Sequence, residues 1–207
     1  MVGSRHTKWV HRRSMVGQSG HLLLSGPAVA LWSLGAYCLA SGAGRWATGL
    51  LFDEPELGQL GLSTGVQLVV MLVGGLWGLL GLTVASFLAV QSAWPGASPA
   101  ILVGFVATQL VAPGLVLLSM QRAMRVAPDL AQLDFAQLVT MLLAALVAQS
   151  AATSAYTVLA RGLPWTQWLP QASARLMGDF LGTSAVLALL VLLVVLVQRH
   201  RLGQRGR

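Results

Sequence analysis

"GLSTGVQLVVMLVGGLWGLLGLTVASFLAVQSAW", residues 61–94, decides the fold. The run is too long for one upright transmembrane helix and short for two, since a crossing takes about 20 apolar residues. Charge settles the choice, because Lys and Arg collect on the cytoplasmic side. One span would put Arg122 and Arg125 outside, opposite the basic N-terminal end. A hairpin turning at Gly74, Gly75 or Gly78 puts them inside with both ends. The hairpin is therefore expected. Its first arm, about 62–74, reaches only ~20 Å at 1.5 Å per residue. Such an arm is short or partly re-entrant, and re-entrant backbone must be shielded by protein.

Working outward, "HLLLSGPAVALWSLGAYCLASGAG" (21–44) reads as the first span, with Pro27 in its opening turns where a missing N–H is tolerated. A polar connector with Asp53, Glu54 and Glu56 follows it. Residues 98–120 and 135–160 read as two further spans joined by the basic segment 121–134. Residues 161–173, "RGLPWTQWLPQAS", read as an external loop, and 174–198 as the last span. Trp165 and Trp168 suit a membrane interface, as do Trp46 and Trp94. The expected fold is an all-α polytopic membrane bundle of about six helices with both termini cytoplasmic. Residues 1–20 form a basic tail, 21–198 a single membrane domain, and 199–207 a second basic tail.

Composition supports this class. Of 207 residues 56% are hydrophobic and 9% charged, where soluble domains carry about a quarter charged. Mean hydropathy is +0.72. The net charge of +7 is concentrated toward the chain ends, which suits a membrane surface better than nucleic acid. Arginine supplies nearly all of the basic residues, a usage expected of a GC-rich bacterial genome. The expected location is thus a bacterial inner membrane. The lone Cys38 lies in an apolar run and gives no disulfide framework.

Asp179 is the only acid inside a span, and a lipid-buried carboxylate costs about 2.5–3.5 kcal/mol on insertion scales. Arg175 lies four residues earlier on the same helix face, so an internal ion pair is one reading. A ligand or partner pocket is the other. With the helix entering at about 173, Asp179 is expected one to two turns deep. Gly178 and Gly182 flank it at a spacing that lets another helix approach closely. Gln149, Thr153 and Tyr156 share a stripe with small neighbours including Ser150 and Ser154. Thr108 and Gln109 lie mid-way along 98–120, Pro113 is expected to kink that helix, and Gln67 sits in the short arm. These side chains either line a polar chamber or hydrogen-bond between helices.

No catalytic constellation accompanies them. His6, His11, His21 and His200 lie in tails or at a helix start, without metal-ligand spacing. Phosphate-loop and HExxH motifs are absent. No enzymatic activity, metal or cofactor is expected; the expected partners are the bilayer and another membrane protein.

Residues 63–89 resemble the Gly-led hairpin of the bacterial membrane-associated sensor family, type one (MASE). Residues 138–190 resemble that family's last third: a small-residue helix, a tryptophan loop, and a final helix with Gly-Asp-x-x-Gly, here Gly178-Asp179-Phe180-Leu181-Gly182. The chain departs from the family pattern around this motif. Arg175-Leu176-Met177 stand where aromatics are usual, and Thr183-Ser184-Ala185 replace a Thr-Pro. Members normally feed a cytoplasmic output domain, and this sequence contains none. The resemblance therefore implies a detached sensor-like module that signals by touching another membrane protein. The chain is also similar in size and helix number to the substrate-capturing subunits of energy-coupling-factor transporters. "MLVGGLWGLLGLTVASFLA" (71–89) looks like their second hairpin, and "AATSA" (151–155) would contact the energising module. An accessory subunit of a larger membrane assembly is a third expectation.

Overall fold

The computed structural model describes residues 26–51, 61–125 and 134–205. The basic tail 1–20, the start of the first span, the acidic connector with Asp53, Glu54 and Glu56, and residues 126–133, 206 and 207 lie outside the described residues. Six α-helices are described: α1 (Gly26–Leu51), α2 (Leu62–Val73), α3 (Gly75–Ala93), α4 (Pro99–Ala123), α5 (Phe135–Ala160) and α6 (Trp168–Arg205). A 3-10 turn, Trp165–Gln167, precedes α6.

The run 61–94 turns back, as the charge argument requires. Only Gly74 separates α2 from α3, and Gly75 has φ +55, a backbone state that glycine enters at no steric cost. Helix directions follow from the contacts. A Cβ on Gly26 would strike Trp77, one on Gly81 would strike Ala30, and Arg45 donates to Ser92 Oγ at 3.2 Å, so α1 and α3 run parallel. The chain must therefore return between them, and α2 is part of that return. It runs parallel to α6, with Gly61 against Asp179 and Gly182, and Gly65 against Thr183 and Val186. Meanwhile α4 and α5 are antiparallel: Tyr156 meets Ile101 near one end, and Leu117 packs with Met141 and Leu142 near the other. Successive helices thus alternate, and α1 begins at the end of the bundle where α6 finishes.

Local signals set the boundaries. Ser98 caps α4, its side chain accepting from the Ile101 amide at 3.4 Å, with Pro99 just inside the helix. A capping box formed by Asp134 and Gln137 starts α5. Two boundaries differ from expectation. The first helix continues to Leu51, because no breaker follows Gly44 and Arg45 finds Ser92. The last helix begins at Trp168, since Pro170 falls in a first turn that needs no amide there. That helix also continues through to Arg205, so the expected C-terminal tail is mostly helical. Further along the chain, α4 runs unbroken through the buried Pro113.

Three clusters form the core. Leu68, Leu117, Met141 and Leu146 join α2, α4 and α5. Tyr37, Val70, Leu82 and Ala85 join α1, α2 and α3. Val90, Leu102 and Phe105 join α3 to α4. Among the described residues, four helical segments are long and apolar enough to cross a bilayer: α3, α4, α5 and Trp165–Val197. Large apolar side chains are exposed on all of them, among them Val103, Leu115, Val147 and Val191. A surface of this kind belongs in lipid rather than water, and the chain is a multi-pass membrane protein. In contrast α2, with 12 residues, is ~18 Å long and cannot cross the ~30 Å hydrocarbon alone.

Candidate functional site

The site is a layer of buried polar groups half-way along the helices, and Asp179 is its only acid. Because α6 starts at Trp168, Asp179 lies eleven residues along it, about 16 Å in, rather than one to two turns. It faces inward, 6% exposed. The Thr64 hydroxyl donates to Oδ1 at 2.7 Å, and the Ser150 hydroxyl donates to Oδ2 at 3.1 Å. Both carboxylate oxygens are therefore satisfied from neighbouring helices, α2 and α5.

The first residues of α2 complete its surroundings. The Gly61 amide donates to the Gly178 carbonyl at 3.0 Å, a backbone bond between two separate helices. Such an approach needs residues without side chains. A Cβ on Gly61 would collide with Asp179, and one on Gly182 with the Gly61 backbone. The Gly178–Gly182 spacing therefore receives the end of a helix rather than the flank of one. The N-terminus of α2 also carries partial positive charge, worth about 0.3–1 kcal/mol to a nearby anion and up to ~2 when partly buried. Hydrogen bonds to a charged group add about 1.5–3 kcal/mol each. Together these offset the insertion cost of the acid, ~2.5–3.5 kcal/mol.

Beside the carboxylate lies an amide cluster. Gln67 Nε2 donates to the Gln109 carbonyl at 2.9 Å, and Gln109 Nε2 donates to Gln67 Oε1 at 3.1 Å and to the Tyr37 hydroxyl at 2.9 Å. Gln149 exchanges longer contacts with Gln67 at 3.5 Å. Four helices, α1, α2, α4 and α5, are tied at one level. Gln109 Oε1 and the Thr183 and Ser86 hydroxyls are buried without a hydrogen-bond partner among the described residues.

Toward the end holding the α3–α4 and α5–α6 connections lies an aromatic cluster with two arginines. The Arg161 guanidinium sits over Trp94, 4.5 Å from the ring centroid, and that of Arg175 over Phe105 at 5.5 Å. Trp94 and Phe105 meet edge to face at 5.0 Å, and Phe105 and Tyr156 at 6.2 Å. Trp165 and Trp168 stack at 5.8 Å, and Trp168 Nε1 donates to the Ala151 carbonyl at 3.0 Å, which pins the connection to α5.

The residues singled out in the sequence thus separate into three places. Asp179, Gly178 and Gly182 meet at the start of α2. Gln109 and Gln149 join Gln67. Arg175 and Tyr156 belong to the aromatic cluster, where the Tyr156 hydroxyl donates to the Ile101 carbonyl at 3.0 Å. Arg175 makes no direct salt bridge with Asp179, since hydroxyls occupy both carboxylate oxygens. The Thr153 hydroxyl bonds back to the Gln149 carbonyl at 2.7 Å, and that of Thr108 to the Gly104 carbonyl at 2.8 Å. Sequence reasoning missed Gly61, Thr64 and Tyr37. Nothing in the local spacing marks any of the three as a partner of α6 or α4.

Among the described residues no group of three His, Cys, Asp or Glu could hold a metal ion. No family model matches the chain, and no curated protein or solved structure is significantly similar to it. The chemistry these residues offer is hydrogen bonding and charge, arranged across helix contacts.

Proposed function

We propose that this protein is a sensor-like module of the bacterial inner membrane, with no catalysis of its own, related in design to the MASE sensors. Six membrane-embedded helices place both termini in the cytoplasm, with α2 as a half-length arm. A small ligand or a partner membrane protein shifts α2 against α6, and the long α6 carries the movement toward the cytoplasm. One observation supports this reading above others: the start of α2 is latched to Gly178, Asp179 and Gly182 by a backbone bond and a buried carboxylate. Close backbone contact gives two discrete packings rather than a continuum, which is what a switch element needs.

Asp179→Asn tests it. The amide keeps the shape and one acceptor but loses the charge. Thermal unfolding in detergent is measured beside capture of partners by the tagged chain from membranes. The expected result is a fold retained within a few degrees and a changed set of captured partners. Wild-type capture together with a lower melting temperature would mean that the carboxylate is structural.

A second reading, a substrate-binding subunit of an energy-coupling-factor transporter, draws on α2 itself. Transporters commonly end half-length helices near the bilayer midplane, at their binding sites. An ATPase complex among the captured proteins would favour that reading.

A further inference from the structure

We propose that the bundle carries a separate anion site at the end holding the α3–α4 and α5–α6 connections, for a phosphate group borne on an apolar body. Arg161 and Arg175 come from the end of α5 and from α6, and each guanidinium carbon sits over an aromatic ring, Trp94 at 4.5 Å and Phe105 at 5.5 Å from the centroid. A ring quadrupole attracts the cation without taking up its N–H donors. Neither arginine has a hydrogen bond or salt bridge among the described residues. Arg161 is exposed, whereas Arg175 is partly buried. The two charges are within electrostatic reach of one another. Their repulsion is relieved by an anion that both can face. Asp179 is also within reach of Arg175, but its oxygens are committed to Thr64 and Ser150.

Space for the ligand is present beside Arg161. A cavity of ≈ 330 Å³ is lined by Trp94, Pro95, Ile101, Ala160 and Arg161. That volume falls at the lower end of small-molecule sites, which run about 300–1,000 Å³. Trp94 links the parts: it lines the cavity, and its ring meets Phe105, on which Arg175 lies. Two guanidiniums match a phosphate better than a single monovalent carboxylate, because each offers paired donors to tetrahedral oxygens. The apolar lining suits an alkyl neighbour. A phospholipid headgroup and a free phosphate ester share this chemistry. The site does not depend on the α2–α6 latch and is tested without reference to partner capture.

The test uses the full chain purified in a neutral detergent, with thermal stabilisation read for four probes: inorganic phosphate, hexyl phosphate, phosphatidylglycerol and phosphatidylcholine. Saturable stabilisation by hexyl phosphate, stronger than by inorganic phosphate, identifies a free ester. Stabilisation by phosphatidylglycerol alone identifies a lipid headgroup. In either case Arg161→Gln and Arg175→Gln each weaken the response about ten-fold, the scale of one charge-assisted contact. Arg161→Lys recovers part of it. Because Arg161 is exposed, its variants keep the fold even where Arg175→Gln does not. No response to any of the three anions overturns the proposal. So does an equal response to phosphatidylcholine and phosphatidylglycerol, or a response unchanged in Arg161→Gln.

Discussion

The Thr64 hydroxyl and the Asp179 carboxylate, 115 residues apart in the chain, meet at 2.7 Å in the middle of the bundle. Asp179→Leu would strip the partner from Thr64 and Ser150 and leave two buried hydroxyls unsatisfied, at about 1–3 kcal/mol. Asp179→Asn keeps an acceptor and should cost less than Leu. Thr64→Val should fall between them, since Ser150 still holds the carboxylate. Unfolding of the purified variants in detergent ranks the three.

Glycine substitutions separate contact from helix propensity. Gly182→Ala puts a methyl group against the Gly61 backbone, which cannot swing aside as a side chain can. A loss of about 1–3 kcal/mol is expected from overpacking. Gly114→Ala meets nothing within 4 Å and lies inside α4. It should be neutral or stabilising by up to about 1 kcal/mol. Both are read in the same unfolding assay.

The amide cluster makes a quantitative prediction. Gln67 and Gln109 exchange hydrogen bonds in both directions. A double-mutant cycle with Gln67→Leu and Gln109→Leu should give a coupling near 0.6 kcal/mol and no more than ~1.7, the range for polar contacts inside membranes. A coupling near zero would mean that each amide is satisfied independently.

The start of α5 offers a test outside the apolar core. Asp134 accepts from the Phe135 amide at 2.8 Å and shares a capping box with Gln137. Asp134→Ala should destabilise by about 1 kcal/mol. Asp134→Asn, also a good capping residue, should restore most of it.

Much of this architecture was legible in the chain because bilayer physics constrains it strongly. Placing Arg122 and Arg125 on the side of the basic N-terminal end required an even number of crossings before them, and the glycines at 74 and 75 offered the place for the extra turn. Gln67, Gln109 and Gln149 stood out because amides are rare in apolar helices. Depth and pairing were not legible. Pro170 permits α6 to begin at Trp168, but the docking of Trp168 on the Ala151 carbonyl is a tertiary contact that spacing does not report. Arg175 and Asp179 share a helix face, yet their partners come from other helices: Phe105 for the cation, Thr64 and Ser150 for the anion. Spacing along one helix cannot report which neighbour wins.

The most direct test of the central claim, that the short α2 lies parallel to α6 with its first turn latched at Asp179, is a disulfide between the two helices. A Cβ on Gly65 stands 3.0 Å from that of Val186 and 2.8 Å from Thr183 Cα, below the usual Cβ–Cβ range for a disulfide, ~3.5–4.5 Å, so the helices need to part by only a fraction of an ångström or so to accept the bridge. With Cys38 replaced by Ser, Gly65→Cys and Val186→Cys should cross-link almost completely in oxidised membranes, detected as an internal disulfide in a single chain. If that pair stays reduced while the variant is folded and membrane-inserted, α2 does not lie along α6 in this register, and the latch does not exist.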